Sequence, residues 1–209
     1  GAQKCGMGKD FYENTEIGRS VFDRASELLG FSMPELCFEE NDRLDITEYT
    51  QAAMVTASIA MMEVLKARGV KPDVAAGLSL GEYCALVAAG VMSADDAIST
   101  VRQRGILMQE AVPVGEGAMA AMDASAIEEV TGSMGDVWIA NYNCPGQIVI
   151  SGRKAAVEEA CEKLKAAGAK RALLLNVSGP FHSGMLTEAG RKLGQVLENV
   201  AVNEPQIPY

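Results

Sequence analysis

The stretch Val74-Ala75-Ala76-Gly77-Leu78-Ser79-Leu80-Gly81-Glu82-Tyr83-Cys84-Ala85-Leu86-Val87-Ala88-Ala89 decides how the chain is read. A short apolar run enters a turn pinched between two glycines, and an alanine- and leucine-containing, helix-forming segment follows. The order reads as strand, tight turn, helix. With Ser79 at the centre of G-x-S-x-G, the turn fits a nucleophile elbow: the hydroxyl is raised above a sheet, and backbone N–H groups of the following turn are placed to receive an oxyanion. Acyl transfer is the chemistry such a site performs. The pattern is cheap alone, since chance supplies it in roughly one chain of this composition in ten. The rest of the chain must separate a nucleophile from an incidental serine in a glycine-rich turn.

Upstream, Ile17, Val21, Phe22, Ala25 and Leu28 recur at helical spacing and predict a helix over 17–29. A second helix is predicted over 47–68, with a cap at Thr47, an inward stripe of Ala52, Val55, Ile59, Met62 and Leu65, and a stop at Gly69. After the elbow, Ser93 caps a helix whose first turn holds Asp95 and Asp96, placed well for the helix dipole, and which runs through Arg104 and Met108 towards Val112. From Gly115 the texture changes. Strands are expected over 117–122, 137–143, 147–152 and 171–175, with helices over 124–131 and 153–167, and the two middle strands meet at a Cys144-Pro145-Gly146 turn. That β-α-β-β-α-β order is the ferredoxin-like pattern. A last helix is predicted over 184–197. The expected fold class is α/β: an α/β-hydrolase-like parallel-sheet core over 1–114 and 179–209, with a ferredoxin-like small subdomain inserted over 115–178. The chain opens on Gly1-Ala2-Gln3 and closes on Pro205-Gln206-Ile207-Pro208-Tyr209 as if entering another strand, so both ends are expected to be cuts inside a larger domain.

Composition bounds the function class. With 209 residues, 48% of them hydrophobic and 22% charged, the chain can bury one sizeable core plus a subdomain, as a globular enzyme does. Apolar runs are too short to span a bilayer and the N-terminus has no signal-peptide pattern, so a cytoplasmic protein without membrane contact is expected. Five cysteines (Cys5, Cys37, Cys84, Cys144, Cys161) without C-x-x-C spacing indicate neither a disulfide framework nor a zinc knuckle; buried, reduced thiols are expected and no metal. A net charge of −10 argues against nucleic acid as a partner. The basic segment Lys163, Lys165, Lys170 and Arg171 reads as a solvated helix face.

Activating a serine needs a base, and the single histidine, His182, stands in a glycine- and proline-bounded loop between a predicted strand and a predicted helix. Five separated motifs then fall in order: Gly77-Leu78-Ser79-Leu80-Gly81-Glu82, Gln103-Arg104-Gly105 with Met108-Gln109, Gly117-Ala118-Met119-Ala120, Asn141-Tyr142-Asn143, and Gly179-Pro180-Phe181-His182-Ser183. Together they resemble the malonyl-CoA:acyl carrier protein transacylases of fatty-acid synthesis, over essentially the whole chain. The resemblance implies a two-step transfer through a malonyl ester of Ser79, from malonyl-CoA to the phosphopantetheine thiol of acyl carrier protein, with His182 as base and no metal or redox cofactor.

By the same resemblance, Leu80 offers its backbone N–H to the oxyanion, and a second donor, a glutamine, would fall just before Gly1. The carbonyl that orients the histidine would lie beyond Tyr209. The residue before the serine, often His in the family, is Leu78 here. Arg104 is implied as the malonyl-carboxylate contact, which suits the rigid bidentate fork of a guanidinium. Phe181 is implied to fill the space an α-methyl would need. Asn141, Gln51 and Met108 are candidates for the pocket wall, and each fits a core or turn position equally well. Three other readings use the same residues: a serine esterase or thioesterase, an acyltransferase domain of a polyketide synthase, and a non-catalytic module that binds carrier protein.

Overall fold

The computed structural model describes residues 2–123, 126–175, 177 and 179–209, and these form two compact units, 1–106 with 193–209 and 107–192. The first unit contains α1 (Lys9–Asn14), α2 (Glu16–Leu29), α3 (Met33–Phe38), α4 (Thr47–Ala67), α5 (Gly81–Ala88) and most of α6 (Ala94–Ala111). Thr15 caps α2 by accepting from the Gly18 N–H at 3.0 Å, and Ser93 caps α6 by accepting from the Asp96 N–H at 3.0 Å, as its position predicts. α1 and α3, six residues each, were not expected.

α4 lies at the centre of this unit. The stripe expected on one face is only part of its buried surface: Ala52, Ala53, Val55, Thr56, Ala57, Ile59 and Ala60 are all buried, so most of its circumference is covered, whereas Leu65 is 46% exposed. Phe22, Met33, Leu36, Val55, Ile59, Ile98 and Val101 form the heart of the core. Tyr12, Phe22 and Phe38 add an aromatic cluster with ring centroids 5.0–5.8 Å apart.

The strand expected over 74–77 is corrected. Among the described residues the first unit has no strand, and 74–77 run without regular secondary structure, joined to the C-terminal tail by a hydrogen bond from the Ala75 N–H to the Pro208 carbonyl at 3.0 Å. A strand needs a ladder, and among the described residues none forms beside this segment. The tail is irregular too; Asn203 and Gln206 donate to the Val91 and Ala89 carbonyls just after α5, at 2.9 and 2.8 Å. The α/β class stands, but the β-sheet described is the small one, and the expected parallel sheet is not seen among the described residues.

That sheet holds β1 (Gly117–Met122), β2 (Val137–Cys144), β3 (Gln147–Arg153) and β4 (Ala172–Leu174) in the order β2-β3-β1-β4, all pairs antiparallel. With α7 (Ile127–Gly132) and α8 (Lys154–Ala166) between strands, this is the ferredoxin-like arrangement the alternation predicts. The start predicted for α7 falls on residues 124 and 125, outside those described. Ala120, Met122, Ile127, Val137, Ile150, Val157 and Leu164 build a separate core. The second unit is wider than the 115–178 expected. Pro180 lies over Gly117 at the head of β1, where a Cβ would stand 2.3 Å from the ring, and a Cβ on Gly184 would stand 2.6 Å from the Trp138 ring of β2. The loop after β4, the short 3₁₀ turn over Gly184–Leu186 and the start of α9 (Thr187–Leu197) therefore belong with the sheet.

All five cysteines are free; Cys37 and Cys161 are buried as expected, while Cys144 is exposed because it ends β2 at the hairpin turn. Lys163 and Lys165 pair with Glu159 and Glu162 on the solvated face of α8, at 2.8 and 3.0 Å. Among the described residues no helix is long and apolar enough to cross a membrane.

The two glycines around Ser79 are not equivalent. A Cβ on Gly77 would stand 2.1 Å from the backbone C and O of Gly81, whereas a Cβ on Gly81 would meet nothing within 4 Å. Gly77→Ala must push apart two backbone segments and should cost about 2 kcal/mol or more in urea unfolding, with loss of activity. Gly81→Ala should stay within about 0.5 kcal/mol of the parent protein; equal costs would show that the turn is not closed by Gly77 against Gly81.

Candidate active site

Among the described residues Ser79 is one of three non-glycine residues with positive φ, at 53°, and it sits immediately before Leu80, the N-cap of α5. A left-handed serine costs ~1–3 kcal/mol and persists only where its surroundings over-determine it. The Gly77–Gly81 contact supplies that constraint. The turn is closed by Gly81 N–H to the Leu78 carbonyl at 2.9 Å and Glu82 N–H to the Ser79 carbonyl at 3.3 Å. Among the described residues the Leu80 N–H has no acceptor, as expected of the first turn of a helix, where such N–H groups attract negative charge. The elbow predicted from the motif is present without its strand.

One other helix brings a side chain to the same hydroxyl, and a second supports that side chain. Arg104, from the middle of α6, donates through Nη2 to Ser79 Oγ at 3.1 Å and through Nη1 to Gln51 Oε1 at 2.5 Å. Gln51, on α4 and only 4% exposed, donates in turn through Nε2 to Thr47 Oγ1 at 3.1 Å. The Arg104 guanidinium also lies 6.0 Å from the centroid of the buried Tyr83 ring on α5. Burial lowers the pKa of Arg104, an effect that the phenol of Tyr83 and the carboxylate of Glu82 oppose. Tyr83 is pushed up, chiefly by burial, with Arg104 working against the shift. Among the described residues no carboxylate lies within 4 Å of this guanidinium, in contrast to Arg102, whose Nη1 sits 2.9 Å from Glu48 Oε2. A partly buried cation held by neutral partners is arranged to receive an anion.

Helix packing fixes the position of Arg104. A Cβ on Gly105 would stand 2.6 Å from Glu48 Cα and 2.8 Å from the Thr47 carbonyl oxygen, so α6 meets α4 backbone to backbone here. Arg102 clamps the same turn by donating to the Glu48 carbonyl at 2.7 Å while stacking on Tyr49 at 4.4 Å. Thr47, expected as a cap, is instead the first helical residue after the N-cap Ile46, and its hydroxyl serves Gln51. Tyr83, Thr47 and the Arg102–Glu48 clamp were missed in the sequence. The signal available was Gly105, a glycine in the interior of a helix.

The remaining candidates lie in the second unit. Met108 follows Arg104 by one turn of α6 and is half-buried. Asn141 is half-buried on β2 and its amide donates to the Asn143 side chain. Phe181 is half-buried, its N–H bonded to the Gly179 carbonyl at 3.0 Å. His182 is exposed and, like Ser79, left-handed, with φ 59°. Its loop is braced by Ser183 Oγ donating to the Pro180 carbonyl at 2.7 Å. The structure thus joins Ser79, Arg104 and Gln51 directly, with Leu80 beside them, and mounts His182 and Phe181 on the sheet unit. Among the described residues no group of His, Cys, Asp and Glu could hold a metal ion.

Comparison with known proteins shows the family to which the chain belongs. The acyl transferase domain family matches residues 1–209. The malonyl CoA-acyl carrier protein transacylase of Bacillus subtilis is 49% identical over 216 residues, covering 100% of this chain and 68% of that protein. The transacylase of Staphylococcus aureus MRSA252 is 45% identical over 194 residues, covering 89% of this chain and 62% of its own length. The chain thus spans about two thirds of these relatives. Among solved structures, the malonyl CoA-acyl carrier protein transacylase of Clostridium perfringens superposes with a TM-score of 0.92 at 44% identity, covering 98% of this chain and 67% of that one. A malonyl-transacylase solved in complex with its type II polyketide synthase acyl-carrier protein gives 0.94 at 42% identity, covering 100% and 70%. The chain belongs to the acyl transferase domain family and, within it, to the malonyl CoA-acyl carrier protein transacylases.

Proposed function

We propose that the protein transfers malonyl from malonyl-CoA to the phosphopantetheine thiol of acyl carrier protein, through an ester on Ser79. One observation carries the reading of the substrate: a half-buried arginine, held by a neutral amide, touches the hydroxyl expected to be acylated. An acyl group with a carboxylate two carbons from its thioester carbonyl can meet the guanidinium with one end and Ser79 Oγ with the other. The names of the relatives support the same substrate and carrier.

In the proposed reaction Ser79 Oγ attacks the thioester carbonyl as its proton passes to the His182 imidazole. The Leu80 N–H receives the developing oxyanion, and the tetrahedral intermediate collapses with coenzyme A leaving as a thiol that takes the proton from His182. The carrier thiol then repeats the steps in reverse on the malonyl ester. Arg104 holds the malonyl carboxylate, Phe181 leaves no room for an α-methyl branch, and Met108, Asn141 and Gln51 line the acyl site. Every bond made or broken is an acyl bond or a bond to a proton, so the chemistry calls for no metal or redox cofactor. A cytoplasmic location accords with these substrates.

Mixing the protein with malonyl-CoA should give a malonyl adduct by intact mass, and Ser79→Ala should abolish it without changing the circular dichroism spectrum. Added carrier protein should then collect the malonyl group; release of free malonate in its place would make the protein a hydrolase. His182→Ala should slow adduct formation by at least ~10²-fold, the lower range for loss of a general base. A variant within about threefold of the parent rate would show that the histidine only supports its loop.

A further inference from the structure

We infer that Thr47 is a positioning residue for the carboxylate-binding arginine and acts through Gln51; this rests on the reading of Arg104 given above. A guanidinium has donors only, so the group facing it must accept. Gln51 does so through Oε1, which turns its NH₂ group the other way, inside the protein. There Thr47 Oγ1 accepts from Nε2 at 3.1 Å, four residues back on the same helix face. Both residues are buried, Gln51 at 4% and Thr47 at 7% exposure, so water does not readily take over the role of either partner.

Thr47 is itself fixed from outside its helix. Its carbonyl oxygen packs against Gly105 of α6, the neighbour of Arg104, and the next residue, Glu48, takes both a hydrogen bond and an ion pair from Arg102. The Thr47 hydroxyl therefore ties the Gln51 amide to the α4–α6 junction that also sets the Cα of Arg104. Removing the hydroxyl withdraws one of the contacts that orient the amide and makes its rotation easier. A rotated amide presents NH₂ to the guanidinium, which repels it, and the fork loses the acceptor that aims it. The effect should fall on acyl groups that use the fork and spare those that do not.

The test compares Thr47→Val, which keeps shape and loses the hydroxyl, with Thr47→Ser, which keeps the hydroxyl. Steady-state KM and kcat are measured in the protein for malonyl-CoA and acetyl-CoA, alongside the rise in melting temperature produced by free malonate. Thr47→Val should raise the malonyl KM about 3- to 10-fold, as expected for loss of one buried hydrogen bond, leave kcat within about twofold, leave acetyl transfer unchanged and shrink the malonate shift. Thr47→Ser should restore all of these. The inference is overturned if Thr47→Val keeps the parent malonyl-to-acetyl ratio, if it depresses both substrates equally, or if Thr47→Ser fails to restore what it loses. A parent protein with no malonyl preference and no malonate shift would overturn the reading of Arg104 together with this inference, whereas a malonyl-selective parent with an equally selective Thr47→Val variant overturns this inference alone.

Discussion

A positive charge drawn partly out of water must be compensated, and among the described residues the Arg104 guanidinium makes its hydrogen bonds to neutral oxygens, those of the Gln51 amide and the Ser79 hydroxyl. Transfer of a cation to a poorly solvated site is among the costliest events in folding, and a carboxylate partner is the usual remedy. Arg102, two residues earlier on the same helix, has that remedy in Glu48. Arg104 does not, among the described residues, and its charge is left available to a ligand. Much of the first unit can be understood as the scaffold that makes this arrangement tolerable: α4 buried on most of its surface, α6 pressed against it at Gly105, and the Tyr83 ring beside the guanidinium.

The second constraint is backbone strain at the elbow. Ser79 occupies a conformation that serine rarely adopts, and the contact of Gly77 with Gly81 holds it there. The strain presents Oγ to Arg104 and sets the Leu80 N–H at the open end of α5, so one turn supplies both the proposed nucleophile and the proposed oxyanion donor. His182 shares the left-handed conformation, in a loop anchored by Pro180 on Gly117 and by Gly184 on Trp138. Two residues in the left-handed region, each on a turn braced by glycine packing, are the pair proposed as nucleophile and base.

Much of this was legible before the fold was known, where the signal is local. The alternation over 117–175 yields the small sheet because hairpins and crossovers at that spacing leave few other pairings, and Ser93 caps its helix because capping is decided within one turn. The elbow motif marks Ser79 for the same reason. What was not legible is non-local. Whether 74–77 form a strand depends on a partner strand, and extended backbone without one looks identical in sequence. The helices α1 and α3 are too short for periodicity to announce them, and they are held by packing against α2 and α4. Thr47 reads as a cap by type, yet the capping position falls one residue earlier and frees its hydroxyl for Gln51. The pairing of Gln51 with Arg104, 53 residues apart, follows only from the packing of α4 on α6.

The central claim is that Arg104 selects the acyl group by its carboxylate, and kcat/KM for malonyl-CoA and acetyl-CoA on the parent protein and on Arg104→Ala tests it most directly. Leaving a partly buried carboxylate without its cation costs ~3–5 kcal/mol, so the malonyl value should fall by on the order of 10²- to 10³-fold. The acetyl value should hold or rise, since an acyl group without a carboxylate no longer meets an uncompensated cation. Equal losses for the two substrates would contradict the account and reduce Arg104 to a structural residue.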